Sequence, residues 1–318
     1  MTDGCGRTIE YLRMSVTEGC NLRCSYCMPA DAGRECRCDS QLSDAELIEF
    51  ARAAAELGMR KLRITGGEPL VRRGITELIR ELGRIDGIED LSLTTNATLL
   101  APVADKLYGA GIHRINISLD SLDPVKYKKI SGGGRLEDAL DGIRAAFEAG
   151  MSPVKLNTVL MGGVNDDEIE ALCELTRKYP LELRFIELMP IGSAAGFGRE
   201  AFLPCGTVPE RLPELEPLPH EEHSVARLYA FPGAPGRVGL ISPLSSHFCA
   251  ECSRLRLTAD GFIKPCLHSK DEIPVKGLHG DELKEAILLA VSRKPAQHGA
   301  LSATEHSQSQ RSMYRIGG

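Results

Sequence analysis

The sequence predicts an α/β fold with a mostly parallel sheet or barrel. Strand-like and helix-like segments alternate in six repeats through the first 190 residues, which is the order expected of βα units. Glycines follow several of the helical segments, where helices commonly end. The motifs that carry chemistry follow or end strand segments, and barrels of βα units place their active sites at the carboxyl ends of the strands.

The predicted strands are short runs of apolar and β-branched residues, and they cover residues 11–17, 61–65, 91–95, 114–119, 154–160 and 181–187. Helical periodicity predicts helices over residues 44–57, 74–82, 103–110, 136–149 and 166–179. The first helix should begin at Ser43, because Glu46 completes the spacing of a capping box. Glycines expected to follow helix ends are Gly58, Gly83, Gly111 and Gly150.

The composition changes after residue 190, which predicts a second region. Proline, glycine and glutamate are frequent from residue 191 to residue 236, and short strands are predicted at residues 225–231, 237–241 and 254–258. A helix is predicted near residues 281–292, followed from Lys294 by a tail rich in serine, glutamine and histidine. We therefore expect two regions, residues 1–190 and residues 191–318. Composition alone predicts disorder for the tail.

The chain of 318 residues has a formal net charge of -6, and 42% of its residues are hydrophobic. These values are ordinary for a globular enzyme with a large core. No apolar run approaches the ~18 residues of a membrane-spanning helix, and the first residues lack the pattern of a signal peptide. We expect a cytoplasmic protein that binds neither membranes nor nucleic acids. A polyanionic ligand would need a local cluster of positive charge.

Six of the 11 cysteines fall into two groups of three. The first triad has CxxxCxxC spacing directly after the first predicted strand, and it comprises Cys20, Cys24 and Cys27. The second triad comprises Cys249, Cys252 and Cys266. Without a secretory signal such cysteines indicate metal binding, and thiolates favour iron-sulfur clusters or zinc. Each triad lacks a fourth cysteine, so one metal position would stay open for a non-protein ligand.

A zinc site that takes its fourth ligand from elsewhere is the alternative for the first triad. The other five cysteines, Cys5, Cys36, Cys38, Cys173 and Cys205, show no useful spacing. Cys173 fits the apolar face of a helix. Cys36 and Cys38 lie in a polar loop without metal-binding neighbours.

The first triad, with Tyr26 before its last cysteine and the later segment Arg63-Ile-Thr-Gly-Gly-Glu-Pro69, resembles the radical S-adenosylmethionine (SAM) superfamily. The second triad and the terminal Ile316-Gly317-Gly318 narrow the resemblance to the GTP 3′,8-cyclase family, from about Tyr11 to the C-terminus. The resemblance implies a partial (βα)6 barrel of TIM type, with the C-terminal region closing its open side. It also implies two 4Fe-4S clusters, one on each triad, and SAM as a cofactor.

The resemblance further implies roles for individual residues. SAM contacts are expected from Tyr26, Gly67, Ser118 and Met189. GTP contacts are expected from Arg13, Arg63, Thr94, Lys155, Arg254 and Arg256. The implied catalytic set is Arg13, Gly317 and Gly318, because in this family the terminal glycines reach into the active site. The sequence contains no GxxxxGK(S/T) loop, which excludes a Walker-type GTPase.

The implied reaction is the first step of molybdenum cofactor biosynthesis. A hydrogen atom leaves carbon 3′ of the GTP ribose, and that carbon then bonds to carbon 8 of the same guanine. Reduction of the cyclised intermediate, by one electron with uptake of a proton, then gives 3′,8-cyclo-7,8-dihydro-GTP. The implied partners are an electron donor of flavodoxin or ferredoxin type and the downstream cyclic pyranopterin monophosphate synthase. The resemblance also suggests a homodimer.

The sequence departs from the family pattern at Ala97, where glycine is usual, and in the loop that carries Cys36 and Cys38. Two other functions compete with the cyclase. The first is a radical SAM enzyme that modifies peptides with an auxiliary cluster, although such enzymes usually carry more C-terminal cysteines and lack the terminal Gly-Gly. The second is a zinc-binding module without catalytic activity.

Overall fold

The computed structural model describes residues 1–29, 41–220 and 224–317. Cys36, Cys38 and Gly318 lie outside the described residues. Within them, no helix is long and apolar enough to cross a membrane.

Six parallel strands form the centre of the sheet, side by side in chain order. They are β1 (Tyr11–Ser15), β2 (Lys61–Thr65), β3 (Asp90–Thr95), β4 (Arg114–Ser118), β5 (Val154–Leu160) and β6 (Leu181–Glu187). All six coincide with predicted strands, and their ends differ from the prediction by at most two residues. The alternation of apolar and polar residues therefore identified the strands correctly.

Helices connect these strands, as expected of βα units. They are α1 (Asp44–Glu56), α2 (Ile75–Gly83), α3 (Ala104–Gly109), α4 (Pro124–Ile130), α5 (Leu136–Glu148) and α6 (Ile169–Lys178). The predicted capping box is present, because the Ser43 hydroxyl accepts the Glu46 amide and the Glu46 carboxylate accepts the Ser43 amide. Helix α4 was not among the predicted helices, although Asp123 caps it and Pro124 is its first residue.

Three of the four predicted helix-ending glycines have a positive φ, namely Gly58, Gly111 and Gly150. Gly83 is instead the last residue of α2.

The C-terminal region adds strands to both edges of the central sheet. Its elements are α7 (Thr207–Arg211), β7 (Glu216–Pro217), β8 (Arg227–Ala230), β9 (Arg237–Ile241), β10 (Arg254–Leu257), β11 (Phe262–Lys264), β12 (Ile273–Pro274) and α8 (Gly280–Ser292). Strand β9 pairs in parallel with β6, and β10 pairs in parallel with β1. The strand order is β12-β11-β10-β1-β2-β3-β4-β5-β6-β9-β8-β7. The predicted partial barrel of six βα units is confirmed, and the sheet stays open.

The two faces of the central sheet have different chemistry because side chains alternate along a strand. The face toward the helices is apolar and buried, and includes Met14, Ile64, Leu93, Ile117, Leu156 and Phe185. The opposite face carries polar and basic residues such as Arg13, Arg63 and Asn157. Strand register aligns Arg13 with Arg63 and with Arg256 of β10. The concave side of the sheet is therefore strongly basic.

The C-terminal tail runs across the carboxyl ends of the central strands. The Ser307 amide donates to the carbonyl oxygen of Pro190, which lies just after β6. Farther along, the Arg315 guanidinium pairs with Glu18 at 2.9 Å, in the loop after β1. The tail thus spans the open side of the barrel between its two edges.

Candidate active site

One cavity on the concave side of the sheet contains both cysteine triads. All six triad sulfurs belong to residues that line it. Cys20, Cys24 and Cys27 follow β1 and lie at the carboxyl ends of the strands. Cys252, in contrast, lies two residues before β10, which runs parallel to β1. The second triad is therefore at the amino end of the sheet, and the expectation that every motif lies at carboxyl ends is wrong for it.

The thiols of the first triad are not in disulfides, and they lie partly buried close to one another. Burial raises the pKa of Cys20 to about 11 and the pKa of Cys27 to about 12. Burial, together with the nearby Asp120, also raises the pKa of Cys24. Burial thus disfavours the charged thiolates, and a bound metal cluster would offset this cost because it stabilises the sulfurs as thiolates. Three soft ligands on one short loop fit three irons of a 4Fe-4S cluster.

The Gly66-Gly67-Glu68-Pro69 segment after β2 packs against the loop that carries the first triad. A Cβ atom at Gly66 would lie 2.7 Å from the carbonyl oxygen of Thr17, and one at Gly67 would clash with the carbonyl oxygen of Gly19. Glycine is required here because the two backbones touch.

Glu68 is buried and connects this segment to the end of β3. Its carboxylate accepts hydrogen bonds from the Thr95 hydroxyl and the Asn96 amide, both at 2.7 Å. Burial raises its pKa to about 7. The carboxylate thus joins the segment after β2 to the segment at the end of β3.

The four residues predicted to contact SAM all line the cavity, namely Tyr26, Gly67, Ser118 and Met189. The Tyr26 hydroxyl donates to the Asp120 carboxylate at 2.8 Å, which fixes the ring within the loop of the first triad. Asn157 lies beside Ser118 on the neighbouring strand, and its buried side-chain oxygen has no hydrogen-bond partner in the part of the chain that the structure describes. A buried acceptor of this kind is expected to bind a ligand donor.

The cavity is basic although the chain as a whole is acidic. Among the lining residues, the cations are Arg13, Arg63, Arg184, Arg254, Arg256 and Lys294. Glu68 is the only carboxylate among the described residues of this lining. Burial lowers the pKa of Arg63 to about 9, so it remains charged at neutral pH. The Arg13 Nε atom is buried and has no hydrogen-bond partner among the described residues. Such a surface favours a polyanionic ligand.

Of the residues predicted to contact GTP, Lys155 alone does not line the cavity. Its ammonium pairs with Glu182 at 3.2 Å, and its side chain is 17% exposed. Burial and repulsion from Arg184 lower its pKa to about 8. Thr94 lines the cavity with the predicted arginines.

The second triad lies next to basic groups. Although burial alone would raise the pKa of Cys252, the Lys294 ammonium and the Arg254 guanidinium bring it down to about 7. No group of three or more His, Cys, Asp or Glu in the described ranges converges on a position for a single metal ion. The thiolates of a four-iron cluster bind different irons, so they need not approach to the ~3.8 Å that separates ligands around one zinc ion.

The end of the tail reaches the cavity wall. The Arg256 guanidinium donates to the Gly317 carbonyl oxygen at 2.7 Å, and the Tyr314 amide donates to Cys27. A Cβ atom at Gly317 would clash with the Thr65 hydroxyl oxygen, and its φ is +73°. Gly317 thus contacts two residues of the cavity wall, although it is not itself among the lining residues. Its role in catalysis stays a prediction.

Arg184, Asn157 and Lys294 are among the polar lining residues that sequence reasoning missed. Arg184 and Asn157 could have been found from strand alternation, since each lies between two buried residues of β6 and β5, respectively. Lys294 carries no local signal, because its position depends on contacts with distant segments.

Two family models together match most of the chain. The model of the radical SAM superfamily matches residues 14–176, and the model of Molybdenum Cofactor Synthesis C matches residues 181–300. Among solved structures, Streptococcus suis SuiB bound to S-adenosylmethionine has a TM-score of 0.62 at 17% identity, covering 88% of this chain and 68% of that chain. At this identity the similarity concerns the fold alone.

Curated relatives are far more similar. The GTP 3′,8-cyclase of Alkaliphilus oremlandii is 47% identical over 323 residues, and that of Alkaliphilus metalliredigens is 46% identical over 321 residues, with 100% of both chains covered in each case. The GTP 3′,8-cyclase of Clostridium botulinum strain Hall is 41% identical over 320 residues, again with full coverage of both chains. The chain therefore belongs to the GTP 3′,8-cyclase family of the radical SAM superfamily.

Proposed function

We propose that this protein converts GTP to (8S)-3′,8-cyclo-7,8-dihydroguanosine 5′-triphosphate, the first step of molybdenum cofactor biosynthesis. The observation that supports this most directly is the single basic cavity with a cysteine triad at each end. The triad at one end would hold a cluster beside SAM, the triad at the other end would hold a cluster that binds a second ligand, and the arginines between them suit a triphosphate.

The cofactors are two 4Fe-4S clusters and SAM. Cys20, Cys24 and Cys27 would hold one cluster, and Cys249, Cys252 and Cys266 would hold the other. When bound, the first cluster and SAM would supply the one-electron chemistry that removes a hydrogen atom, and the second cluster would supply an open iron for the guanine. Tyr26, Gly67, Ser118 and Met189 would bind SAM beside the first triad.

The chain's own contribution is to bind and orient GTP. Arg13, Arg63 and Arg256 lie side by side across three parallel strands, so their guanidinium groups form a row along the cavity wall. Arginine binds phosphate oxygens in bidentate fashion and keeps its charge when buried. Arg254 and Thr94 extend this surface, and Lys155 would join it by giving up its pairing with Glu182.

The tail would exclude water from the reacting carbon atoms. Tyr314 contacts the loop of the first triad, and Gly317 contacts the wall formed by Thr65 and Arg256. Gly317 and Gly318 are the catalytic candidates of the tail, together with Arg13 of β1. Exclusion of water protects a reactive carbon radical from side reactions.

The test is an anaerobic single-turnover reaction of the reconstituted protein with SAM, dithionite and GTP deuterated at carbon 3′. Mass spectrometry should find one deuterium atom in the 5′-deoxyadenosine released. Cys24→Ala provides the control and should release none. Undeuterated 5′-deoxyadenosine from the native protein would contradict abstraction at carbon 3′ and favour a peptide substrate instead. A protein that contains zinc and no iron would overturn the proposal entirely.

The family resemblance supports further features of this function. An electron donor of flavodoxin or ferredoxin type would reduce the first cluster, and cyclic pyranopterin monophosphate synthase would take the product. The enzyme would act in the cytoplasm as a homodimer. Residues 1–190 and residues 191–318 would form one catalytic unit, because the cavity takes lining residues from both.

A further inference from the structure

Lys294 is a buried lysine beside the second triad. It lies two residues after α8 and is 6% exposed. Its ammonium donates to the carbonyl oxygen of Arg254 at 2.8 Å, to the carbonyl oxygen of Pro265 at 3.0 Å and to the Cys252 sulfur at 3.4 Å. An ammonium has three N–H donors, so these contacts use all of them. Lys294 therefore has no donor left for a substrate, although it lines the cavity.

The three acceptors include no carboxylate. In the described part of the chain, no aspartate or glutamate lies within ion-pair distance of Lys294, whereas the other buried lysine, Lys264, pairs with Glu272 at 3.1 Å. Burying an unpaired ammonium is costly, so a buried cation normally has an anionic partner. The anion nearest to Lys294 is the Cys252 sulfur when it is a metal-bound thiolate.

The backbone around Lys294 is fixed by Arg7, near the start of the chain. The Arg7 guanidinium donates to the carbonyl oxygens of Cys249 at 2.7 Å and Pro295 at 2.8 Å. Asp3 in turn pairs with Arg7 at 2.6 Å, and both side chains are buried. One arginine therefore joins the first cysteine of the triad to the residue after Lys294. This connection keeps the ammonium from moving into solvent.

We propose that Lys294 is a positioning residue of the second cluster. Its ammonium donates an N–H···S hydrogen bond to the Cys252 ligand and places a fixed positive charge beside it, and it thereby raises the reduction potential of the cluster. The inference rests on the proposed function in one respect, that the second triad holds a cluster. One-electron reduction adds a negative charge to the cluster, and a nearby cation stabilises the reduced form more than the oxidised form. Hydrogen bonds to cluster sulfurs act in the same direction.

The first test is a potentiometric titration of the anaerobic holoprotein, followed by the EPR signals of the reduced clusters. The signal of the second cluster is assigned with Cys24→Ala, which removes a ligand of the first. Lys294→Met should shift the potential of the second cluster downward and leave that of the first cluster unchanged. Lys294→Arg should keep the potential of the second cluster close to its native value, because arginine keeps the positive charge. The matched control is Lys284→Met, which removes a surface lysine of α8 that pairs with Glu56; it should change neither potential.

A second test needs no substitution at Lys294. Native protein grown with lysine labelled with ¹⁵N at Nζ should show a ¹⁵N coupling in pulsed EPR of the reduced second cluster, because the nitrogen lies 3.4 Å from a ligand sulfur. If Lys294→Met fails to assemble its second cluster, this test still shows whether Lys294 contacts that cluster in the native protein. An assembled cluster with no ¹⁵N coupling, or an unchanged potential in Lys294→Met, would overturn the inference and leave the proposed function intact. A second triad that binds no iron would instead contradict the proposed function.

Discussion

The guanidinium of Arg256 donates a hydrogen bond to the carbonyl oxygen of Gly317 at 2.7 Å, so a cation of the cavity wall holds the end of the chain. Arg256 is 6% exposed and belongs to the row of arginines across β10, β1 and β2. The family resemblance implies different roles for these two residues, substrate binding for Arg256 and catalysis for Gly317. If both roles hold, their contact would couple them, because a change in the tail would also affect the row of arginines.

Gly317→Ala should reduce formation of the cyclised product at least tenfold. Its φ of +73° is costly for alanine by about 1–2 kcal/mol, and the new Cβ atom would clash with Thr65. Since tenfold in rate corresponds to about 1.4 kcal/mol, the strain is large enough for this effect. The measurement is chromatographic product yield per iron content. Gly299→Ala, in the same tail, would meet only the Gln308 side chain at 3.9 Å and should retain full yield.

Arg184→Gln should weaken GTP binding by about ten- to a hundredfold, since a charge-assisted hydrogen bond contributes about 1.5–3 kcal/mol. Arg184 lines the cavity on β6 and pairs with Glu182, so its guanidinium is already oriented. Equilibrium binding of GTP to the anaerobic holoprotein measures the effect. Arg227→Gln removes an exposed arginine of β8 and serves as the control. Equal losses in the two variants would show that only overall charge matters.

The affinity for GTP should fall as the pH rises through about 8 if Lys155 contacts the triphosphate. Burial lowers the pKa of Lys155 to about 8, so the ammonium that attracts phosphate is present below this pH and is lost above it. Lys155→Arg keeps its charge throughout and should flatten the dependence. Binding titrations between pH 7 and pH 9 compare the two proteins. The same slope in both would mean that Lys155 stays paired with Glu182.

Gly142→Ala should destabilise the protein by about 1–3 kcal/mol through overpacking. The glycine lies on α5 against the turn after β3, and an added Cβ atom would clash with the carbonyl oxygen of Ala97. Chemical denaturation measures the free energy of unfolding. Gly109→Ala, at the end of α3, would place its methyl group where no heavy atom lies within 4 Å, and it should be neutral or stabilising.

Ala97→Gly should raise the thermal stability slightly. Ala97 has a φ of 61°, which costs a residue with a side chain about 1–2 kcal/mol. Glycine also lowers the free energy of unfolding by about 0.4–1 kcal/mol, because it gives the unfolded chain greater conformational freedom. The expected net gain is therefore below about 1.5 kcal/mol. A lower melting temperature in calorimetry would mean that the alanine methyl group contributes packing that outweighs the strain.

Local patterns were sufficient for the strands and for the first triad. The alternation in β5 and β6 predicted both strands to the residue, and the CxxxCxxC spacing predicted the loop after β1. The sequence could not predict that β10 pairs with β1, because strand pairing between distant segments leaves no periodic signal in either strand. The amino-end location of the second triad follows from that pairing. Lys294 was missed for the same reason, since the positions of its acceptors, the carbonyl oxygens of Arg254 and Pro265, depend on the pairing of β10 with β1.

The edge pairing of β1 also sets an order of assembly during synthesis. Tyr11 lies opposite Arg254, so the outer backbone of β1 stays unpaired until almost the whole chain has left the ribosome. Contacts between such distant segments form slowly, and an open strand edge promotes aggregation in the meantime. The same delay would also prevent SAM cleavage by an incomplete chain. Residues 313–317, which lie against the first triad and the cavity wall, are made after strands β1–β12, so we expect that a nascent chain cannot form the closed site in which SAM would be cleaved.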